Sequence, residues 1–305
     1  MEAGMKIAVV GGGAMGSLFA ARLAVAGFAT TLVEVDAGRL EHIRKAGVVV
    51  DLAGRYIVAP VPCVQPADLE RGQELLILFT KFAGLSAALA QSRHALAPEG
   101  VVAVLSNGLG VAGQLEGLIP EDRLVLGVSD VAADLRADGV HSDGTGLVKL
   151  GMANPADDPA PLAQVLSALE TAGFSAHAMP DIRQAIWEKL AFNAAFNAVA
   201  TLADARVCDL DNVPGRRIVA AILAEVGSVA RAGQVPFDHA AVSARIEQAF
   251  LRQGEHRPSM AQDRRAGRRT EIGAINGAIA ARGEEWGVPV PINRTLTDLV
   301  CLTGG

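Results

Sequence analysis

An N-terminal doubly wound α/β sheet followed by an all-helical second half is the fold that the 305-residue sequence predicts. Three observations carry that expectation. A short β-branched strand, Lys6 to Val10, runs into Gly11-Gly12-Gly13-Ala14-Met15-Gly16 and then into an apolar-periodic helix reaching Ala26. Strand signals recur as far as Ala178 and then stop. From Asp181 only helical periodicity remains, so two domains are expected, 1–180 and 181–305, with the break near Pro180.

Each element can be justified in order. The second strand, Thr30 to Val33, ends at Glu34. A G-x-G-x-x-G spacing between strand and helix, with an acid about 20 residues on, is the dinucleotide-binding arrangement of a Rossmann-type unit. The chemistry explains the spacing. Gly11 permits the tight turn, Gly13 lets the backbone approach a pyrophosphate, and Gly16 lets helix pack on strand. Ala14 and Met15 then open a helix whose free N–H groups and dipole favour the phosphates. Glu34 is placed to accept hydrogen bonds from a ribose, which favours NAD(H); a plain solvated acid is the alternative reading. Arg39, about one helical turn further on, is the nearby cation that leaves NADP(H) open.

Val48 to Val50 and Tyr56 to Val58 read as a hairpin around Leu52-Ala53-Gly54. Glu74 to Phe79 is a buried strand ending in Thr80-Lys81, and Val101 to Leu105 is another, ending in Ser106-Asn107-Gly108. Ligands sit at such strand ends, so Lys81 and Asn107 are candidate cofactor or substrate contacts. A surface lysine and a turn asparagine are the plainer readings of the two. His141 to Gly151 reads as a turn and late strand. A helix near Pro161 to Ala172 and a strand near Ser175 to Ala178 complete the first half.

The second half is expected to hold helices over 182–203, 214–232, 237–253, 268–284 and 291–302, broken at Gly233-Gln234-Val235-Pro236 and Gly287-Val288-Pro289. The stretch Ile186 to Asn197, IWEKLAFNAAFN, is apolar on nearly every side. Three polar residues interrupt it at a spacing of four: Lys189, Asn193 and Asn197. Steps of four drift by only about 40° around a helix, so the three share a stripe. A solvated face would carry Lys and Glu rather than asparagines, which are poor helix formers. The stripe is expected to face a cleft. The basic run Arg257 to Arg269 reads as a solvated approach to a helix that also meets cofactor or substrate anions.

Composition excludes several functions. Half the residues are hydrophobic and mean hydropathy is +0.31, yet no apolar run approaches the roughly 20 residues of a membrane span. The N-terminus reads as a strand entering a glycine turn rather than a signal peptide. A net charge of −6 with 4% aromatics argues against nucleic acid. Cys63, Cys208 and Cys301 are far apart and form no CxxC pair, which suits free thiols in a reducing cytoplasm. The six histidines have no metal-ligand spacing, so no metal is expected. The long apolar helical faces suggest a homodimer.

Taken together, GGGAMG at Gly11 to Gly16, the strand-end Lys81, Ser106-Asn107-Gly108, His141 to Gly151, WEKLAFNAAFN at Trp187 to Asn197, and SMAQDRRAGRRTEIGAINGAI from Ser259 resemble the ketopantoate reductase family over the full length. The resemblance implies reduction of a 2-oxo acid, ketopantoate to pantoate, by a nicotinamide cofactor. It implies Lys189 as general acid at the carbonyl oxygen, and Glu271 as the carboxylate that anchors substrate and meets the lysine. It further implies Asn193, Asn197 and Ser259 as hydrogen-bond partners of the 2-oxo acid, with Lys81 and Asn107 as cofactor-side contacts.

Two stretches depart from the family. Asn-Pro-Leu-Thr-Ala often follows the second asparagine, where this chain has Asn197-Ala198-Val199-Ala200-Thr201. A basic residue suited to a 2′-phosphate often follows the second strand, where this chain has Glu34-Val35-Asp36. An NAD-dependent dehydrogenase for another 2-hydroxy acid therefore stands beside ketopantoate reduction. A catalytically silent nucleotide-binding protein is a third reading, against which the intact Lys189, Asn193, Asn197, Ser259 and Glu271 set speaks.

Overall fold

A computed structural model describes residues 4–252 and 256–304. The first three residues of the N-terminal stretch and residue 253, the end of one expected helix, lie outside it. The chain divides into two compact units: Met1–Ser106 with Gly110–Ile182, and Asn107–Leu109 with Arg183–Gly305.

The first unit opens with β1 (Lys6–Val10), α1 (Ala14–Val25), β2 (Ala29–Val33), α2 (Ala37–Ala46), β3 (Val48–Leu52), β4 (Arg55–Ala59) and β5 (Cys63–Val64). It continues with β6 (Gln73–Leu78), α3 (Leu85–Ser92), β7 (Leu96–Val104), α4 (Val111–Leu115), β8 (Leu124–Ser129), β9 (Asp134–Arg136) and β10 (Gly139–Ser142). It closes with β11 (Leu147–Met152), α5 (Ala160–Thr171) and β12 (Ser175–Ala178). Eight strands form one sheet in the order β12-β11-β8-β7-β6-β1-β2-β5. β1 lies inside it: Ile7 pairs with Thr30 on one side and Leu75 on the other, both in parallel. A strand covered on both faces reads as a continuous apolar run, which is why Ile7 to Val10 are all buried. Only β8 and β11 pair antiparallel within this sheet.

Phe19 of α1 anchors the core of this unit, stacked on Phe174 with 4.0 Å between ring centroids. The Arg22 guanidinium lies over the other ring 3.8 Å from its centroid, and its Nε donates to the Ala172 carbonyl at 3.0 Å. A second, four-stranded sheet, β4-β3-β10-β9, lies against α1. It contains the expected hairpin, Val48 opposite Ala59, and adds β10 in parallel to β3. β8 is absent from the sequence expectations. Its six residues are all buried, and a continuous apolar run has no period to read.

The second unit is helical among its described residues: α6 (Ile182–Ala203), α7 (Val213–Ala232), α8 (His239–Arg252), α9 (Ser259–Arg265), α10 (Asn276–Glu285) and α11 (Pro291–Leu302). Its core gathers Trp187, Leu190 and Phe196 of α6 with Ile222 and Val226 of α7, Phe250 of α8 and Ile279 of α10. Phe196 meets Phe250 edge-on at 5.3 Å. The helix expected over 268–284 is corrected. Gly267, at φ +65°, ends α9, and residues 268–271 are not helical. A single 3-10 turn, Ile272–Ala274, then leads to α10 at Asn276.

Candidate active site

In the first unit the glycine turn has a physical reason at each constrained position. Gly11 has φ +107°, and a Cβ on Gly16 would stand 1.9 Å from the Gly11 carbonyl oxygen, so no larger residue fits there. At Gly13 an added Cβ would meet nothing within 4 Å, so the helix start is open on that side. No side chain caps α1, and Ala14 and Met15 occupy its first turn without an acidic residue. Its leading N–H groups are therefore claimed by no side chain. This is a cradle that fits a pyrophosphate.

Glu34 is buried, and its carboxylate is turned inward. Oε1 accepts the N–H groups of Val35 at 2.7 Å and Asp36 at 2.9 Å, and Oε2 accepts that of Gly12 at 3.1 Å. The acid thus braces the glycine turn from the end of β2. Arg39 completes the brace, its Nη1 donating to the Gly12 carbonyl and its Nε 4.0 Å from Glu34. Close by, burial and then the Glu34 charge push the Cys63 thiol up to about 11. The ends of β6 and β7 are joined by the Ser106 hydroxyl, which donates to the Thr80 carbonyl at 2.7 Å; Lys81 is exposed just beyond.

The second unit holds the other candidates. Lys189 and Asn193 on α6 are half-buried and Asn197 is 4% exposed. Asn107 belongs to this unit rather than to the sheet whose strand it follows. Its Oδ1 receives Asn193 Nδ2 at 3.4 Å, a long contact. The Asn197 carbonyl accepts the Thr201 hydroxyl at 2.7 Å. Ser259 is the exposed first residue of α9. Glu271 lies in the non-helical stretch, where its carbonyl accepts the Ala274 N–H at 3.0 Å.

A family model described as ketopantoate reductase PanE/ApbA matches residues 7–155, and one described as its C-terminal part matches residues 181–302. A 2-dehydropantoate 2-reductase from Halobacterium salinarum is 31% identical, with 98% of each chain covered. The chain belongs to the ketopantoate reductase family. One from Archaeoglobus fulgidus is 32% identical over 97% of this chain and 96% of its own. Among solved structures, D-mandelate dehydrogenase in a ternary complex with NADH and anilino(oxo)acetate is 31% identical, covers 98% of both chains and superposes with a TM-score of 0.93. A PanE/ApbA family ketopantoate reductase from Ralstonia eutropha JMP134 is 27% identical, again over 98% of both chains, with a TM-score of 0.88. This family member is thus an oxidoreductase with a Rossmann-like fold and a helical C-terminal region.

In this family member Arg265, Arg268 and Arg269 of the arginine run are exposed, as a solvated approach requires, and several of its members are also paired. Arg265 makes a bidentate pair with Asp204, at 2.6 and 2.7 Å. Arg257 donates to the Asp204 and Ala205 carbonyls at 2.8 and 3.1 Å, and Arg268 pairs with Asp263 at 2.8 Å. Arg257 and Arg265 fasten the segment bearing Ser259 to the end of α6, and Arg268 braces it internally. Sequence reading also gives no role to Asn276 and Asn293, both fully buried. The signal was an asparagine within the Ile275-Asn276-Gly277 stretch, in a run otherwise read as an ordinary helix. Among the described residues no cluster suits a metal ion, and no helix is long and apolar enough to cross a membrane.

Proposed function

We propose that this chain reduces the ketone of a 2-oxo acid at the expense of a reduced nicotinamide dinucleotide, with ketopantoate to pantoate as the first substrate pair to test. The observation that carries the reading is the α6 stripe. It combines a lysine, an asparagine touching Asn107, and a second, buried asparagine. A bound reduced nicotinamide supplies the hydride. As the carbonyl oxygen gathers charge, Lys189 delivers a proton from Nζ to it and afterwards regains one from solvent. Asn193, Asn197, Asn107 and Ser259 hydrogen-bond the substrate, and the Glu271 carboxylate anchors it and pairs with the lysine. Gly11, Gly13, Ala14, Met15 and Gly16 hold the pyrophosphate, with Glu34 and Lys81 flanking the dinucleotide.

NADH is the expected cofactor. Glu34 Oε2 receives a single backbone N–H, so it keeps capacity for a ribose hydroxyl. Arg39 is occupied with Gly12, Val35 cannot pair with a phosphate, and Asp36 adds a like charge nearby. The likeness to an NADH-bound D-mandelate dehydrogenase supports this and favours a second reading of the substrate, a 2-hydroxy acid other than pantoate. Val213, Leu251 and Leu302, each more than three-quarters exposed on the helical unit, support a homodimer. The expected location is the cytoplasm.

Steady-state kinetics on ketopantoate, 2-oxoisovalerate and phenylglyoxylate with NADH and with NADPH is the test. The highest kcat/KM is expected with NADH. A wild type preferring NADPH tenfold or more would overturn the cofactor reading, and no turnover of any 2-oxo acid would overturn the function.

A further inference from the structure

We propose that Asn276 is a positioning residue for the reaction: its amide holds the Ala194 carbonyl and so sets the turn of α6 from which Asn193 and Asn197 project. The inference rests on the reading that this stripe binds the 2-oxo acid.

The starting point is a line of polar groups crossing the core of the helical unit. Glu225 on α7 accepts the backbone N–H groups of Ile292 at 2.8 Å and Asn293 at 2.9 Å, capping the start of α11. It also accepts Asn293 Nδ2 at 2.7 Å. A carboxylate only accepts, so the Asn293 amide must present its nitrogen to Glu225 and its oxygen to the other side. That oxygen receives Asn276 Nδ2 at 3.0 Å. Asn276 must in turn present its nitrogen, whose second hydrogen goes to the Ala194 carbonyl at 3.3 Å. One charge at the rim thereby fixes the sense of every amide up to the helix backbone.

The arrangement has a cost that points to function. With Nδ2 committed, Asn276 Oδ1 is buried with no partner among the described residues. An unsatisfied buried acceptor destabilises, and apolar residues of similar size at both 276 and 293 would avoid that penalty. What the amide contributes instead is direction. The buried face of α6 carries Ala191, Ala194, Ala195 and Ala198, all fully buried, between the larger Trp187, Leu190 and Phe196. Helices interlock through side-chain ridges, and methyl groups make shallow ones. The larger side chains fix where α6 packs, and the alanine turn between them leaves its fine register to other contacts. A hydrogen bond to a carbonyl one residue beyond Asn193 and three before Asn197 supplies the missing register. Catalytic geometry is sensitive on this scale, since a displacement of about 1 Å can cost on the order of a hundredfold in rate.

The test uses the whole protein and three variants: Asn276→Leu, of similar volume but with no polar atoms; Asn276→Asp, of the same shape but without the donor; and Asn193→Ala as a reference for the stripe itself. Asn276→Leu removes the orphaned acceptor but leaves the buried Asn293 Oδ1 without its donor, so it is expected to melt below the wild type. It should bind NADH within twofold of wild type and raise KM for the 2-oxo acid about tenfold or more, with a fall in kcat. A merely structural role would lower the melting temperature too, and with it the fraction of active enzyme, while leaving KM unchanged. Asn276→Asp should lose kcat/KM as pH rises through the raised pKa that burial beside two acceptors gives its carboxyl, and recover it on acidification, because a protonated carboxyl can again donate to Ala194; the wild-type profile should lack that limb. If Asn193→Ala raises KM and Asn276→Leu does not, the positioning role is overturned and the stripe stands. If Asn193→Ala leaves KM unchanged, the stripe reading fails and this inference falls with it. Should Asn276→Leu not fold, the Asp variant decides: no acidic recovery overturns the proposal.

Discussion

In the proposed reaction the Lys189 ammonium releases a proton as hydride reaches the adjacent carbon, and that demand sets the size of its effect. A positioned acid contributes about 10²- to 10⁴-fold, so Lys189→Ala is expected to lower kcat by that range while NADH affinity in a binding titration stays near normal. A drop below fivefold would remove the lysine from the chemistry. The stripe that singles it out is legible in sequence because a period of four survives whatever surrounds the helix. Glu34 was legible only in part. Its place after the second strand follows from the motif spacing, but its inward carboxylate, bonded to Gly12, Val35 and Asp36, does not. Three backbone donors converge there through the way β2 turns beside the glycine loop. A linear reading sees the acid and has no access to which N–H groups the turn will aim at it.

Among elements, the segment from His256 to Ile275 shows where sequence reading fails physically. Its charged and apolar residues fall at spacings a helix would accept, and a continuous helix over 268–284 is the natural expectation. The chain instead makes two short pieces, because Gly267 takes a left-handed turn and the carbonyl of Glu271 is drawn into a 3-10 turn. The arginines look like a solvated patch because their partner, Asp204, lies more than fifty residues away in sequence at the end of α6. Hydrogen bonding to Arg265, with the charges of Arg265 and Arg257, holds the Asp204 carboxyl below its ordinary range. A depressed carboxylate contributes above its unfolded pKa and loses that contribution as pH falls through the folded value. Asp204 is well exposed, so the contribution to global stability is small and screened by salt. Its expected consequence is local, through the tether of Ser259. Asp204→Ala should raise KM for the 2-oxo acid by no more than about fivefold, and high salt should raise the wild-type KM in the same direction. An unchanged KM in both would leave the tether without a role in substrate binding.

At the scale of the whole molecule, the change from strands to helices near residue 180 was legible because alternating and apolar-run patterns give way to a 3.6 period. The excursion of Asn107–Leu109 was not. Three residues leave the end of β7, join the helical unit and return at Gly110, with Leu109 packed against the second core and its N–H donating to the Ala274 carbonyl at 3.3 Å. Nothing in Ser106-Asn107-Gly108-Leu109 distinguishes such an excursion from an ordinary turn. This bears on what a fragment would do. Residues 1–182 retain the eight-stranded sheet, both faces of β1 covered, and the glycine turn with its Glu34 brace. That fragment is therefore expected to fold and bind NADH without turning over any 2-oxo acid, since Lys189 and the rest of the α6 stripe are missing. Leu109 would lose its apolar surroundings, so the fragment should self-associate, and Leu109→Asp should suppress this without weakening dinucleotide binding. Circular dichroism, size-exclusion chromatography and fluorescence titration with NADH would decide it. A folded fragment that fails to bind would show that the glycine turn and its brace are insufficient, and that groups of the helical unit contribute to holding the dinucleotide.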